Sequence, residues 1–165
     1  TILKQKERAM RLFLCIITIS LLSSMSFAQS TSVSDEIKAM ILNDQKVANE
    51  TNENLNNYSK AGALEFWSSG GLLNSVTNEV LVNRFDNLSL QAKHIEVISI
   101  AGGQAAVAMY YNEGSMKPQN AGSVDHYLTR ITQVFVKEEG EWVIVAAHFS
   151  PVTGGSGTSQ TSTDN

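Results

Sequence analysis

Arg130 and His148 are the two side chains of this sequence whose types and placement suit chemistry performed together. Each falls in an alternating, largely apolar run of strand character, and the short polar joint Glu138-Glu139-Gly140 between the runs lets a register be worked out. If Glu138 and Glu139 form a type I turn and Gly140 the left-handed bulge after it, Lys137 pairs with Glu141 and Arg130 lies opposite His148. Thr132 then faces Ala146, Val134 faces Ile144 and Val136 faces Trp142, with Ser150 on the same side because side chains alternate along a strand. A buried guanidinium is costly unless an anion accompanies it. Arg130 therefore reads as a fork of donors for a ligand oxygen, and His148 as a proton carrier or hydrogen-bond partner near neutral pH. The competing reading pairs Arg130 with an internal carboxylate such as Glu65 or Asp125 and leaves His148 to satisfy a backbone group.

Other chemistry-bearing residues are placed by the same alternation. Trp142, just after the hairpin turn, is expected in the core, where a tryptophan seals one end of a sheet. Trp67 suits either the core or a pocket mouth. Tyr110 and Tyr111 are neighbours on a strand and must point to opposite faces, so only one reaches a pocket and alternation leaves the choice between them open; Tyr110 is named as the candidate contact. A two-residue Gly102-Gly103 turn sets Tyr111 opposite His94, as a surface pair. Asp125-His126-Tyr127 alternates faces and cannot converge on one atom, so it reads as a strand entrance. Three scattered histidines without ligand spacing give no metal site, and no cofactor motif is present. Asn49-Glu-Thr, Asn57-Tyr-Ser and Asn87-Leu-Ser fit the glycosylation acceptor pattern, which an asparagine-rich chain meets by chance.

The elements that must position these residues begin after an export signal. Lys4, Lys6, Arg8 and Arg11 precede an uncharged stretch, Leu12 to Met25, and Ser26-Phe27-Ala28 is a small-x-small cleavage pattern, so residues 1–28 read as a secretory signal. Met10 would open a compact version of it. Cleavage before Gln29 removes the single cysteine, Cys15, and leaves no thiol for a disulfide or a lipid anchor. The remainder carries eight basic against fifteen acidic residues, a net charge of −7. Scattered lysines and arginines on an acidic surface exclude nucleic acid and anionic membrane as partners. Residues 153–165 are Gly, Ser, Thr, Gln, Asp and Asn and read as a disordered tail. A single domain, residues 29–152, is left. Ser34 caps a first helix with an apolar face of Ile37, Met40, Ile41, Val47 and Ala48, interrupted by Asp44, and Asn49 to Asn57 is its solvated end. A second helix runs from Tyr58 to Trp67 and a third from Asn78 to about Phe85. Strands follow at His94 to Ile100, Gln104 to Asn112, Val124 to Lys137 and Trp142 to Ser150, with a polar loop from Glu113 to Ser123. Helices first and an antiparallel meander after is an α+β pattern. Both faces of the last hairpin are largely apolar, so both are expected to be covered, one by the helices and one, bearing Ile131, Phe135, Val143 and Phe149, by a second copy of the chain.

The run Arg130-Ile-Thr132-Gln-Val-Phe-Val-Lys-Glu-Glu-Gly140-Glu-Trp142-Val-Ile-Val-Ala-Ala-His148-Phe-Ser150-Pro resembles the closing hairpin of SnoaL-like proteins in the nuclear transport factor 2 superfamily, some of which are close to the association domain of calcium/calmodulin-dependent kinase. In outline the resemblance extends from Ser34 to Val152. It implies an NTF2-like (cystatin-like) cone: three N-terminal helices packed on a strongly curved antiparallel sheet, usually dimeric through the sheet, with a pocket between sheet and helices. Relatives include isomerases, dehydratases, cyclases and protein-binding modules, so the resemblance fixes no activity. The catalytic aspartate and tyrosine of the isomerases and the paired histidines of the dehydratases have no counterpart here by motif. Arg130, Thr132, Trp142, His148 and Ser150 correspond to pocket-wall positions in similar proteins, and their polar ends imply a small ligand with a carboxylate or other anionic oxygen. The expectation is an exported, periplasmic or secreted homodimer with a ligand pocket, His148 as candidate acid or base, and Arg130, Thr132, Ser150, Trp67 and Tyr110 as ligand contacts. The alternative is a non-enzymatic assembly module.

Overall fold

The computed structural model describes residues 32–55, 57–77 and 82–152, so the expected signal and tail lie outside the described residues. The first described element is a helix, α1 (Val33–Thr51). Its cap is Ser32 rather than Ser34: the Ser32 hydroxyl accepts the Asp35 N–H at 3.1 Å, with Asp35 and Glu36 in the first turn at the positive end of the helix. Ile37, Ile41 and Ala48 form the buried stripe. The helix ends at Asn52, which adopts the left-handed conformation with φ 57°. The asparagines here are not merely a solvated end. Asn49 donates to the Leu90 carbonyl (2.8 Å) and accepts the Leu90 N–H (3.0 Å), while the Asn52 side chain accepts the Leu88 N–H at 2.9 Å. These amide groups stand in for a backbone partner and stitch the helix to the sheet.

Seven strands follow: β1 (Glu53–Leu55), β2 (Ala63–Phe66), β3 (Asn74–Val76), β4 (Val82–Ile100), β5 (Ala105–Pro118), β6 (Val124–Glu138) and β7 (Glu141–Pro151). They form one mixed sheet in the order β1-β4-β5-β6-β7-β2-β3. The long strands β4 to β7 are the antiparallel meander read from the sequence. The polar loop of that reading is much shorter, because β5 continues through Pro118 before a turn at Asn120 (φ 66°). Gly114 allows this continuation: at φ 150° it lies so close to β4 that an added Cβ would fall 2.0 Å from the Ser89 carbonyl oxygen.

Of the three expected helices only α1 is present among the described residues. The segment read as the second helix instead forms a parallel bridge, Tyr58 to Ile144, then turns and runs as β2 parallel to β7, with Leu64, Glu65 and Phe66 beside Ala146, Ala147 and His148. Gly62 (φ 89°) makes the turn that a helix would have excluded. Ala63 and Glu65 are buried while Leu64 and Phe66 are exposed, a period of two rather than 3.6. Of the third expected helix, residues 78–81 lie outside the described residues and Val82–Phe85 belong to β4.

The last hairpin departs from the expected register twice. Glu139 (φ 52°) and Gly140 (φ 92°) make a two-residue turn with both central residues left-handed, so Lys137 pairs with Trp142 rather than Glu141. The bulge sits further along: Val134 pairs with Ala146 but Phe135 with Ile144, leaving Val145 as the extra residue. Arg130 consequently lies opposite Ser150, and Thr132 opposite His148. These four residues do share a face, but it is the outer, convex one. Ile131 and Phe135, expected to cover a dimer surface, are 2% and 1% exposed inside the core, and Phe149 packs against that core. The bulge also carries Trp142 and Ile144 to the inner side, away from Val134 and Val136.

The inner face divides its packing into two groups. One gathers Ile37 and Ile41 of α1 against Ala106, Ala108, Ile131, Phe135 and Ile144; the other gathers Ala48 against Leu88, Leu90, Met116, Val124 and Tyr127. Fully buried Ala106 and Ala108 let the helix approach the sheet closely. Gly114→Ala should lower unfolding stability in urea by about 2–4 kcal/mol, since both the left-handed φ and the close β4 backbone oppose a side chain. Gly122→Ala, which meets nothing within 4 Å, should change it by less than about 0.5 kcal/mol.

Candidate functional site

Between the two packing groups the concave face is not filled. A cavity of about 500 Å³ is lined by α1 (Met40, Ile41, Asp44, Gln45), by β4 and β5 (Leu88, Leu90, Tyr110, Asn112) and by the inner side of β6 and β7 (Tyr127, Gln133, Phe135, Trp142, Phe149). Glu65, Trp67, Ser68 and Ser69 close one side, and Arg84, Phe85 and Gln119 belong to the rest of its border. The volume is in the range of small-molecule sites.

The polar groups of this wall come from strands whose alternation aims them inward. Glu65, at the centre of β2, is 3% exposed. One carboxyl oxygen, Oε2, accepts the Trp67 indole N–H at 2.8 Å; the other, Oε1, is buried and has no hydrogen-bond partner. Burial pushes the Glu65 pKa above its ordinary value, and the hydrogen bonds from Trp67 and Tyr58 oppose that only in part. Asp44 extends from α1 into the same wall. Water still reaches it, yet the surrounding protein crowds its carboxyl enough to raise its pKa as well, against a smaller opposing bond from Asn43. The Tyr110 hydroxyl donates to Gln133 Oε1 at 2.8 Å, and burial raises its pKa, so that phenol stays protonated and serves as a donor. Tyr127 reaches Ser68 at 3.4 Å, and Asn112 Oδ1 is a second buried acceptor without a partner. A buried carboxyl oxygen left unpaired costs about 1–3 kcal/mol or more. The arrangement can bind a group that completes Glu65, and it can hold a proton on Glu65 to higher pH than free glutamate does.

Of the expected ligand contacts, Trp67 and Tyr110 line this cavity. Tyr111 takes the outer face, where its ring meets His94 edge-on at 6.1 Å; its ladder partner is Lys93 rather than the expected His94, because Ala101–Gly103 form a 3-10 turn instead of a two-residue one and a bulge lies between Lys93 and Glu96. Trp142 is in the core as expected, donating to Glu36 at 3.0 Å, and it also borders the cavity. Arg130, Thr132, His148 and Ser150 lie across the sheet from the cavity. Arg130 is exposed and reaches only the Pro151 carbonyl at 3.5 Å, bonding to neither Glu65 nor Asp125; exposed His148 rests against the Phe66 ring at 5.4 Å. Asp125 and His126 are exposed and Tyr127 is buried, as alternation requires. Among the described residues, no three His, Cys, Asp or Glu side chains come together as a metal site.

Sequence reasoning missed Glu65 as a site residue because a helical reading of Tyr58 to Trp67 gives it no inward direction. Asp44 did leave a signal, as the one polar residue on the apolar face of α1.

Comparison with known proteins places the fold. No family model matches the chain, and no curated protein sequence matches it. A solved structure does: the crystal structure of an NTF2-like protein of unknown function from Pseudomonas putida KT2440, with a TM-score of 0.51 and 15% identity, covering 80% of this chain and 98% of that one. The likeness shows that the chain has the NTF2-like fold, an α+β cone in which a curled sheet wraps a helix.

The raised Glu65 pKa fixes a sign for the pH dependence of stability. Below the ordinary value of 4.5 the group is protonated in both folded and unfolded chains and contributes nothing. As pH rises from there through the folded pKa, the unfolded chain loses its proton first, so folding stability falls, and above the folded pKa the full cost is present. Urea unfolding from pH 4 to pH 8 should therefore show the wild-type protein losing stability relative to Glu65→Gln as pH increases. A constant difference between the two would contradict the burial of an ionisable carboxyl at this position.

Proposed function

We propose, taking the NTF2-like fold as the premise, that this domain binds a small organic molecule in the cavity between α1 and the sheet. The observation that carries the reading is Glu65, a buried carboxyl among the residues lining the cavity, whose Oε1 has no hydrogen-bond partner although Trp67 and Tyr58 bond to the group. Natural structures leave few such atoms unpaired, and those that persist mark strain, a catalytic or redox role, or a seat for a bound water or ion. The apolar and aromatic remainder of the wall suits the body of a ligand, and the phenols and carboxyls suit its orientation. Whether bound molecules are also transformed depends on acid-base chemistry for which Glu65 and Asp44, rather than His148, are the groups in reach of the cavity. An anionic ligand, implied by the resemblance, loses its main support, because Arg130 lies on the other face. Export, with residues 1–28 as the signal, remains part of the proposal and rests on the basic run, the apolar stretch and Ser26-Phe27-Ala28.

Native mass spectrometry after incubation with a small-molecule cell extract tests the reading. The wild-type protein should carry a one-to-one adduct, and Gln45→Trp, which fills the cavity from the half-buried side of α1, should lose at least 90% of it while keeping its melting temperature within a few degrees. A wild-type protein that takes up nothing, or an adduct that survives in the filled variant, overturns it.

A second reading, assembly through the outer face, is favoured by a specific row of residues. Ile98, Val107, Val134, Ala146 and Leu64 are successive neighbours across β4, β5, β6, β7 and β2, with Ile98 and Leu64 at the ends 61% and 50% exposed. Exposed Met109 and Phe66 flank it. A row that is apolar from end to end meets itself when a two-fold axis passes near its centre, which makes a second copy of the chain its natural cover. Sedimentation at micromolar concentration should show a dimer, and Val134→Lys a monomer of unchanged circular dichroism. A wild-type monomer would sink the assembly reading without touching the cavity.

A further inference from the structure

We infer that the cavity takes an organic cation, a protonated amine or amidine on an apolar body, with its charged end on Glu65. The inference rests on the reading of the cavity as a ligand site and deepens it from what the wall lacks.

The unfilled valences come first. A cation beside Glu65 draws the carboxyl into its ionised form against the burial that otherwise favours the proton; both oxygens of the ionised group accept and neither donates, so the group that then completes Oε1 is a donor. Oε2 is tied to the Trp67 indole and Tyr58 also bonds to the carboxyl, yet Oε1 has no hydrogen-bond partner among the protein groups. Asn112 Oδ1, also in the wall, is unpaired in the same sense. The charges come second. Two carboxyls, Glu65 and Asp44, border the cavity, and the single basic residue bordering it among the described residues is Arg84. Arg84 is exposed and already engaged, its Nε lying 3.0 Å from the Glu53 carboxylate. An anion entering here would meet two carboxyls and no free cation, whereas an ammonium or amidinium group would supply the donor and balance the charge of an ionised carboxylate. The shape comes third. Trp67, Phe85, Tyr127 and Trp142 contribute aromatic surface to the wall, and ring faces attract organic cations while accommodating an apolar body. A bare metal ion finds no comparable set of ligands among the described residues.

Three probes of one shape separate charge from fit: 2-phenylethylammonium, 2-phenylethanol and phenylacetate, titrated at pH 7.5 against the purified full chain. The readout is the Trp67 indole N–H resonance, because that proton is bonded to Glu65 and reports on the occupant of the other oxygen. The ammonium should bind at least tenfold more tightly than the alcohol, and phenylacetate more weakly than either. In Glu65→Gln the ammonium should lose about tenfold to a hundredfold in affinity, as expected when a charge-assisted hydrogen bond is removed, with the alcohol unchanged. Should that variant fail to fold, the wild-type ranking and the smaller loss expected in Asp44→Asn decide the matter. An alcohol or carboxylate that binds as tightly as the ammonium, or a preference that survives in Glu65→Gln, overturns the cation and leaves the ligand site standing. If none of the three moves the Trp67 resonance, the cation inference fails, and the adduct found with cell extract decides separately whether the cavity binds anything.

Discussion

Among the described residues one helix has to cover the concave face of a seven-stranded sheet, and its apolar stripe is too narrow to reach both ends. α1 resolves this by packing in two places. Its first half sits down on Ala106 and Ala108, where the absence of bulky side chains lets helix and sheet approach, and its last turns rest on Leu88 and Leu90. The length between them could be filled only by large apolar side chains from the strands, and the strands present Tyr110, Gln133 and Asn112 there instead. A well-packed interior tolerates few voids larger than a water molecule. The cavity is thus a direct consequence of a helix that is anchored at both ends and a sheet that curves away from it in the middle.

The sheet also separates two kinds of surface by strand alternation alone. Inward positions place carboxyl, phenol and amide groups around the cavity, while outward positions of the same strands carry the apolar row and the cluster of Arg130, Thr132, His148 and Ser150. Moving any strand by one residue would exchange the two sets. The register is therefore held with some redundancy: Gly114 accepts close backbone contact that another residue would refuse, the tight turn at Glu139-Gly140 closes the last hairpin, and Asn57 and Ser59 fasten the segment ahead of β2 to Trp142 and Glu138. β2 matters most to the cavity, since it delivers Glu65, and its parallel seat on β7 is what turns that side chain inward.

The legible part of the sequence was the part with strong periodicity. The stripe Ile37, Ile41, Ala48 gave the helix, and the alternating runs gave β6 and β7 to within a residue of their ends but only the last part of β4, which starts at Val82 rather than His94, and of β5 only as far as Asn112 rather than Pro118. Alternation alone was enough to separate Tyr110 from Tyr111. The face of the last hairpin was not legible, because both sides of it are apolar and a pattern with no polar side has no direction. The turn residues Glu138-Glu139-Gly140 suit either a three-residue or a two-residue connection, and the bulge at Val145 leaves no mark in composition. β2 was read as helix because Tyr58, Ala61, Leu64 and Trp67 happen to fall at helical spacing; its partner strand lies about 80 residues away, and pairing over that distance is invisible in a local window. Glu65 followed β2 into that error, so the residue on which the cavity's chemistry turns was named only as a neighbour for Arg130.

The asparagines at the end of α1 have a meaning beyond attachment. β4 is nineteen residues long, but β1 pairs with only its first three, so among the described residues most of its outer margin has no strand beside it. Unpaired margins of this kind recruit strands from other molecules and are where fibrils start. Asn49 and Asn52 occupy the N–H groups of Leu88 and Leu90 and the Leu90 carbonyl, filling the sites an invading strand would need. Further on, the irregularity between Lys93 and Glu96, with His94 at φ 53°, bends the margin and flanks it with charge. Two side-chain amides and a kink thus blunt, at this margin, the edge that a closed barrel does away with altogether.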